Sequence, residues 1–310
     1  MKKIFIDGSA GTTGLRIAER LESRKDIELI KLTEENRKDI NARKAALNSA
    51  DIAFLCLPDA AAIEAVSLID NPNTVVLDTS TAHRTNPDWA YGFPELSVGA
   101  EEKVKNSKRI AVPGCHASGF ISLIYPLVEK GILDKDILLS CFSLTGYSGG
   151  GKKMIAEYEG AERDELLDAP RQYGIAQTHK HLPEMKAITG INNAPAFIPV
   201  VGSFYSGMEV TIPIFASQLN DGFTVEDIKK TYKEKYNGPV VNYVESFDEG
   251  GFVSANKLNG RDSMEISVSG NDDRILLISR YDNLGKGASG AAVECMNIVL
   301  GVDKTTGLEL

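Results

Sequence analysis

The chain has little of what builds metal cages, disulfide scaffolds or nucleic-acid surfaces. Its 310 residues hold four cysteines, Cys56, Cys115, Cys141 and Cys295, widely spaced and never as CxxC. That spacing argues against a zinc cage or a disulfide framework and for thiols kept reduced. Histidines are as few: His83, His116, His179 and His181. The HxH pair at 179 and 181 has no evident third ligand, so no metal site is expected. No apolar run approaches the roughly 18 residues that a membrane span requires. The start, MKKIFIDG, passes from two lysines directly into a strand and its turn, unlike an export signal. A cytoplasmic protein without a membrane partner is expected. Basic tracts are missing too: 34 Lys and Arg face 43 Asp and Glu, for a formal charge of −9. This disfavours the phosphate attraction behind nucleic-acid binding and leaves small molecules as the expected partners.

With 43% hydrophobic residues, the chain can bury one large core or two modest ones. KIFIDG reads as a strand, TGLRIAERLESRKD as a helix with Leu15, Ala18 and Leu21 at helical spacing, and IELIKL as the next strand. The alternation continues through DIAFLCLP, DAAAIEAVSLI, TVVLDTS and RIAVPG. Strands that are nearly continuous apolar runs, joined by helices, predict a doubly wound parallel sheet of Rossmann type. After Cys115, HASGFISLIYPLVEKGIL reads as a helix. ILLSCFSLTG, MEVTIPIFA, VVNYVE, MEISVSG and RILLISRYDN then read as strands between glycine, asparagine and proline turns, with one helical stretch around VEDIKKTYKEKY. The expected architecture is α/β: a Rossmann domain over 1–115, completed by a C-terminal helix within 286–310, and an α+β domain over 116–285 with a mixed or antiparallel sheet.

The first chemical motif is GSAGTTG (8–14), which follows strand one and opens helix one. Gly8, Gly11 and Gly14 allow close approach of a diphosphate, and Ser9, Thr12 and Thr13 line the same turn at a helix start rich in N–H donors. The spacing is GxxGxxG where GxGxxG is the common fingerprint. The segment LTEENRK after strand two offers Glu34 and Glu35 together with Arg37 and Lys38, so the choice between NAD and NADP stays open.

The second motif is RIAVPGCHASGF (109–120). An ordinary thiol is only a few per cent thiolate at neutral pH, and a helix N-terminus raises that fraction. With a helix starting near His116 or Ala117, Cys115 reads as a nucleophile, whereas the other three cysteines lie in apolar patterns and read as core. THKHLPEM (178–185) supplies a proton-transfer partner in His179 or His181, with Glu184 one turn further on to orient it or the substrate. SGGGKK (148–153) and Arg84 of TAHRTN offer anion contacts. A nucleotide fold, a poised thiol, a histidine and an anion pocket suggest reduction of an acyl phosphate to an aldehyde through a thioester.

Six landmarks occur together in order: GSAGTTG (8–14), DTSTAHR (78–84), YGFPEL (91–96), PGCHASG (113–119), HKHLPE (179–184) and DNLGKGASGAAVECMN (282–297). Over its whole length the chain resembles the N-acetyl-gamma-glutamyl-phosphate reductases of arginine biosynthesis, in their shorter form. The resemblance implies Cys115 as the thioester-forming residue, His179 in preference to His181 as acid/base, and NADPH as hydride donor. It implies Asn283, Lys286 and Gly287 near the nicotinamide, Arg84, Ser148, Gly149 and His181 as substrate or phosphate contacts, and a homodimer or homotetramer. Four alternatives stand beside it: an aspartate-semialdehyde dehydrogenase, whose nucleophile typically follows asparagine where Gly114 stands here; a carrier-linked homologue of lysine biosynthesis; a cofactor-free thiol hydrolase; and a non-catalytic dinucleotide sensor.

Overall fold

A computed structural model describes residues 1–310, which divide into two compact units. The first comprises Met1–Gly114 and Ala288–Leu308, and the second Cys115–Gly287 with Glu309–Leu310. The sequence reading puts the breaks after Cys115 and before residue 286. The chain instead divides ahead of Cys115, because that residue already begins a helix of the second unit. Glu309 goes with that unit because its N–H donates to Asp262 Oδ2 at 2.9 Å.

In the first unit β1 (Lys2–Asp7), α1 (Thr12–Glu22), β2 (Ile27–Ile30), α2 (Ile40–Ser49), β3 (Ile52–Leu55), α3 (Asp59–Ser67), β4 (Val75–Asp78), β5 (Ala90–Tyr91), α4 (Val98–Asn106) and β6 (Arg109–Ala111) follow one another. All strand pairs are parallel, in the order β2-β1-β3-β4-β6-β5. Every residue of β3 and β4 is buried, the signature of strands covered on both faces. The helix α9 (Gly290–Leu300) returns here: Ala291, Ala292, Val293, Cys295, Met296 and Ile298 share one core with Ile4, Ile17, Phe54, Leu77 and Ile110.

The second unit holds α5 (Cys115–Glu129), β7 (Ser140–Gly146), α6 (Gly151–Glu159), β8 (Arg171–Gln172), α7 (Leu182–Thr189), β9 (Ala196–Gly202), β10 (Met208–Phe215), α8 (Val225–Lys235), β11 (Val241–Tyr243), β12 (Met264–Gly270) and β13 (Arg274–Tyr281). Its sheet runs β11-β12-β13-β10-β7-β9-β8 and is mixed, with β7 and β9 parallel, β11 and β12 parallel, and the other pairs antiparallel. The helices α5 and α8 pack on this sheet and α7 packs on α5. On the other face Phe142, Leu144, Ile198 and Val200 are half-buried and Pro213 and Leu276 are exposed. α8 starts from a capping box, in which the Thr224 N–H and hydroxyl both donate to Asp227 Oδ2.

Candidate active site

The first unit carries the glycine cradle. Gly8 closes β1 with φ +86°, and a Cβ there would collide with the Cys56 carbonyl. Gly14 sits in the first turn of α1, where a Cβ would lie 2.5 Å from Gly8 O and 2.9 Å from Ser9 Cα. Gly11 differs: a Cβ there would meet only Gly8 O at 3.4 Å and Cys56 O at 3.9 Å. Nothing within the protein demands glycine at 11, whereas a ligand pressed against the backbone would. Gly11 is the N-cap of α1 and no side chain caps it; Thr12 and Thr13 form the first turn and Ser9 is exposed beside it. A cavity of about 490 Å³ adjoins the cradle, lined by Gly8, Ser9 and Ala10 and, beyond β2, by Lys31, Arg37 and Lys38.

These residues fit a phosphorylated dinucleotide. An acidic side chain at the end of β2 would favour a ribose 2′-hydroxyl. Here β2 ends at Ile30 and Lys31 follows, while Arg37 Nε reaches Glu34 at 2.8 Å on the surface. Deeper in, Asp7 and Arg43 form a buried ion pair at 2.9 Å that Glu64 extends at 3.0 Å.

Arg84 has a bracing role. It is buried, with Nε donating to Val112 O at 2.9 Å and Nη2 to Thr79 O at 2.8 Å. A guanidinium so used braces the chain after β4 against the end of β6. His83 lies beside Asp78, Nδ1 to Oδ2 2.6 Å, and stacks on Trp89 with ring centroids 4.0 Å apart.

The second unit opens with the thiol. The helix starts at Cys115 itself, one or two residues earlier than the expected start near His116 or Ala117, and Cys115 is partly accessible. The other cysteines behave as core: burial pushes the Cys56 thiol up to about 12, with Asp78 and Asp7 adding to the effect, and burial also pushes Cys141 up. Behind Cys115, His116 is buried with both ring nitrogens engaged, Nδ1 2.6 Å from Ser143 Oγ and Nε2 2.6 Å from Tyr173 Oη. Burial, and then the neighbouring His179, lower its pKa to about 3. His116 is therefore a neutral strut.

Three histidines meet here. The rings of His116 and His179 lie 5.6 Å apart, those of His116 and His181 5.6 Å, and those of His179 and His181 4.7 Å, with Phe197 5.1 Å from His179. His179 is half-buried, and its Nδ1 accepts the His181 N–H at 3.2 Å. With Nδ1 an acceptor, neutral His179 carries its proton on Nε2. Burial lowers its pKa, as does the nearby Lys180, so that form prevails at neutral pH. His181 is the N-cap of α7, and Glu184 lies buried in the first turn of that helix.

The other expected contacts fall in the same unit. Ser148 is buried, and its Oγ accepts from Asn283 Nδ2 at 3.0 Å, while Asn283 Oδ1 accepts the Gly207 N–H at 2.9 Å. Asn283 thus ties the turn before α6 to the start of β10. Gly149 is exposed next to Ser148, and Lys152 and Lys153 of SGGGKK are exposed on α6. Lys286 is buried, and a Cβ on Gly287 would lie 3.1 Å from Cys115 Cβ. Sequence reasoning gave His116 of PGCHASG no role of its own and missed Ser143, Tyr173 and Tyr281, none of which stands in a pattern that marks it before folding.

Burial of neutral His116 has a pH consequence. Its folded pKa lies below the ordinary value near 6.5, so between the two the unfolded chain takes up a proton that the folded protein excludes. This contribution to stability is complete above about pH 6.5 and declines toward pH 3, by up to ~1.4 kcal/mol per pH unit. Urea unfolding at pH 7.5 and pH 5 should show the loss, and His116→Gln, though less stable at pH 7.5, should show a shallower decline.

Comparison with known proteins divides the chain at the same place. Residues 3–106 match the family described as semialdehyde dehydrogenase, NAD binding domain, and residues 115–283 match semialdehyde dehydrogenase, dimerisation domain. Aspartate semialdehyde dehydrogenase II of Vibrio cholerae, solved with ASA, shares the fold at a TM-score of 0.73 and 16% identity, over 97% of this chain and 98% of that one. The Candida albicans aspartate semialdehyde dehydrogenase, solved with NADP, does so at 0.68 and 17%, over 99% of both chains. The chain is thus built as a two-domain semialdehyde dehydrogenase. Two curated relatives are more specific. The N-acetyl-gamma-glutamyl-phosphate reductase 2 of Nostoc sp. is 43% identical over 99% of both chains, and the Brucella ovis N-acetyl-gamma-glutamyl-phosphate reductase is 43% identical over 96% of this chain and 99% of its own. The chain belongs to the N-acetyl-gamma-glutamyl-phosphate reductase family.

Proposed function

We propose that this protein reduces N-acetyl-gamma-glutamyl phosphate to N-acetylglutamate semialdehyde with release of phosphate, and that Cys115 is its nucleophile. The observation that carries the reading is Cys115 as the first residue of α5, followed by His116 in a cluster with His179 and His181. When bound, NADPH would supply the hydride. Gly8, Gly11 and Gly14 at the start of α1 would hold its diphosphate, and Arg37 and Lys38 its 2′-phosphate.

The Cys115 thiolate attacks the acyl carbon; a C–S bond forms, the C–O bond to phosphorus breaks, and phosphate leaves with the electron pair. Hydride addition to the thioester then puts negative charge on the former carbonyl oxygen. His179 Nε2–H is the donor for that oxygen, since Nδ1 is held as an acceptor. Breaking the C–S bond releases the aldehyde and restores the thiolate. Ser148 and Gly149, on the turn steadied by Asn283, are the proposed phosphate contacts, and His181 and Glu184 set the α7 end of the site.

His179→Asn should lower kcat by about 10²–10³-fold, the usual worth of a hydrogen-bond donor to a developing oxyanion, and His181→Asn should cost less. The reverse order in steady-state assays would move the role to His181. The overall reading is tested in reverse, by following NADPH formation from N-acetylglutamate semialdehyde, NADP and phosphate. A phosphate-dependent signal absent with aspartate semialdehyde supports it; no signal from either, with NADPH still bound, overturns it.

We further propose a homodimer formed through the open face of the second sheet, working in the cytoplasm, where reducing conditions keep Cys115 as a thiol. Phe142, Leu144, Ile198, Val200 and Leu276 form an apolar stripe beside Glu209, Thr211, Glu265 and Arg280 on the face that α5 and α8 leave uncovered. Ile198→Asp should convert the dimer to monomer in light-scattering measurements; an unchanged mass would place the interface elsewhere.

A further inference from the structure

We infer that Tyr281 is a positioning residue for Cys115, setting the first turn of its helix through a hydroxyl that bonds both the Cys115 carbonyl and the Gly119 N–H. The inference rests on the reading of Cys115 as nucleophile. In an ordinary α-helix the N–H of residue 119 would donate to the carbonyl of residue 115. Here the Gly119 N–H donates to Tyr281 Oη at 3.0 Å, and that hydroxyl donates to Cys115 O at 2.6 Å. One oxygen atom of another element thus bonds both members of that first-turn pair.

The hydroxyl is held firmly. Tyr281 ends β13, is fully buried, and pairs with Met208 of β10 on one side and Met264 of β12 on the other, both also fully buried. Gly119 makes room for it: a Cβ at 119 would lie 2.6 Å from Tyr281 Oη, 2.7 Å from Ser279 Oγ and 2.5 Å from Val210 Cγ2. The chain beyond Tyr281 reaches Cys115 a second time. The buried carboxylate of Asp282 accepts from Gly260 N at 2.6 Å, Leu284 N at 2.8 Å and Ser206 Oγ at 3.1 Å, and its carbonyl accepts from the N–H of Gly287 at 3.0 Å. Gly287 in turn lies against the Cys115 Cβ. A single segment, 281–287, thus fixes the carbonyl of Cys115 at one end and its side-chain root at the other. Stabilisation of a thiolate at a helix start depends on the alignment of that first turn. Here Tyr281 sets the alignment, and the sheet sets Tyr281.

Tyr281→Phe removes only the bridging oxygen. The Cys115 carbonyl then loses its donor from β13 and the first turn is no longer tied to the sheet at that end. The variant should fold and bind NADPH as before. Alkylation of Cys115 by iodoacetamide at pH 7, read by mass spectrometry of its peptide, should slow about tenfold and recover at pH 9.5, where most thiols ionise. The kcat should fall by a similar factor with KM little changed. Ser279→Ala is the control: its buried Oγ has no hydrogen-bond partner, lies beside Gly119 and does not bond Cys115. It should alkylate like the unaltered protein. Equal alkylation of Tyr281→Phe and unaltered protein at both pH values overturns the inference, and so does equal slowing in the Ser279→Ala control. Failure of the nucleophile reading looks different, because alkylation of Cys115 would then leave turnover intact whatever residue 281 is.

Discussion

Cys115→Ala is expected to bind NADPH as tightly as the unaltered protein and to lose at least about 10⁴-fold in turnover, the scale on which removal of a covalent nucleophile registers. The size follows from the chemistry. Without sulfur no thioester forms, and the acyl phosphate would have to be reduced directly, with no neighbouring side chain able to replace the thiol. His116 cannot do so, being buried and neutral with both ring nitrogens engaged. Cys141 cannot either, being a fully buried strand residue whose thiol is pushed up by burial. Cofactor affinity is spared because every residue of the glycine cradle belongs to the other compact unit. The assay is paired: NADPH titration by fluorescence beside steady-state turnover in the reverse direction. Residual turnover above a thousandth of the original would remove Cys115 from the nucleophile's role. Loss of NADPH binding would show that the substitution had disturbed more than the sulfur.

How much of this could be read beforehand varied with the range of the interactions. The alternation of apolar strands and helices up to Gly114 is a local pattern, and the parallel sheet followed from it. The strand β9 did not. Its sequence AFIPVVG carries Pro199 in the middle, and proline argues against a strand because it donates no ladder bond. The structure tolerates Pro199 because β9 has only the two-residue β8 on its outer side, and the Pro199 carbonyl still accepts from the Tyr173 N–H at 3.0 Å. Arg84 carries bonds that no local pattern marks. An arginine just past a strand resembles an anion ligand, yet its bonds to two backbone carbonyls became visible only with Val112, 28 residues away, in place.

The candidate site divides in the same way. Cys115 was legible because a strand, a Pro-Gly turn and a helix start are neighbours in sequence. The neutral state of His116 was not, because it depends on Ser143 and Tyr173, which are 27 and 57 residues away. Tyr281 was less visible still, since it reaches Cys115 across 166 residues and no spacing rule links them. The return of α9 to the first core shows how a short apolar helix with no amphipathic face asks to be buried without saying where.

The glycine cradle gives the second large effect, because its three glycines are required for different reasons. Gly8→Ala should destabilise the protein by about 3–5 kcal/mol, combining a left-handed backbone that alanine resists with overpacking against the Cys56 carbonyl. That is a large share of the ~5–15 kcal/mol typical of a folded domain, so NADPH binding should be lost along with the fold of the first unit. Gly14→Ala should follow it, since its Cβ would press on backbone atoms of Gly8 and Ser9 at 2.5–2.9 Å. Gly11→Ala should separate the two properties. Its φ of −75° suits any residue, and its Cβ would make only ordinary contacts. Stability should stay within about 1 kcal/mol, as for an unstrained surface substitution, while NADPH affinity falls about 10- to 100-fold, the ~1.4–2.7 kcal/mol by which a methyl group holds a diphosphate off the helix start. Urea unfolding and NADPH titration on the three variants decide it. Destabilisation of Gly11→Ala equal to that of Gly8→Ala would mean that position 11 is held by the fold. Unchanged affinity in a stable Gly11→Ala protein would mean that the diphosphate is bound elsewhere.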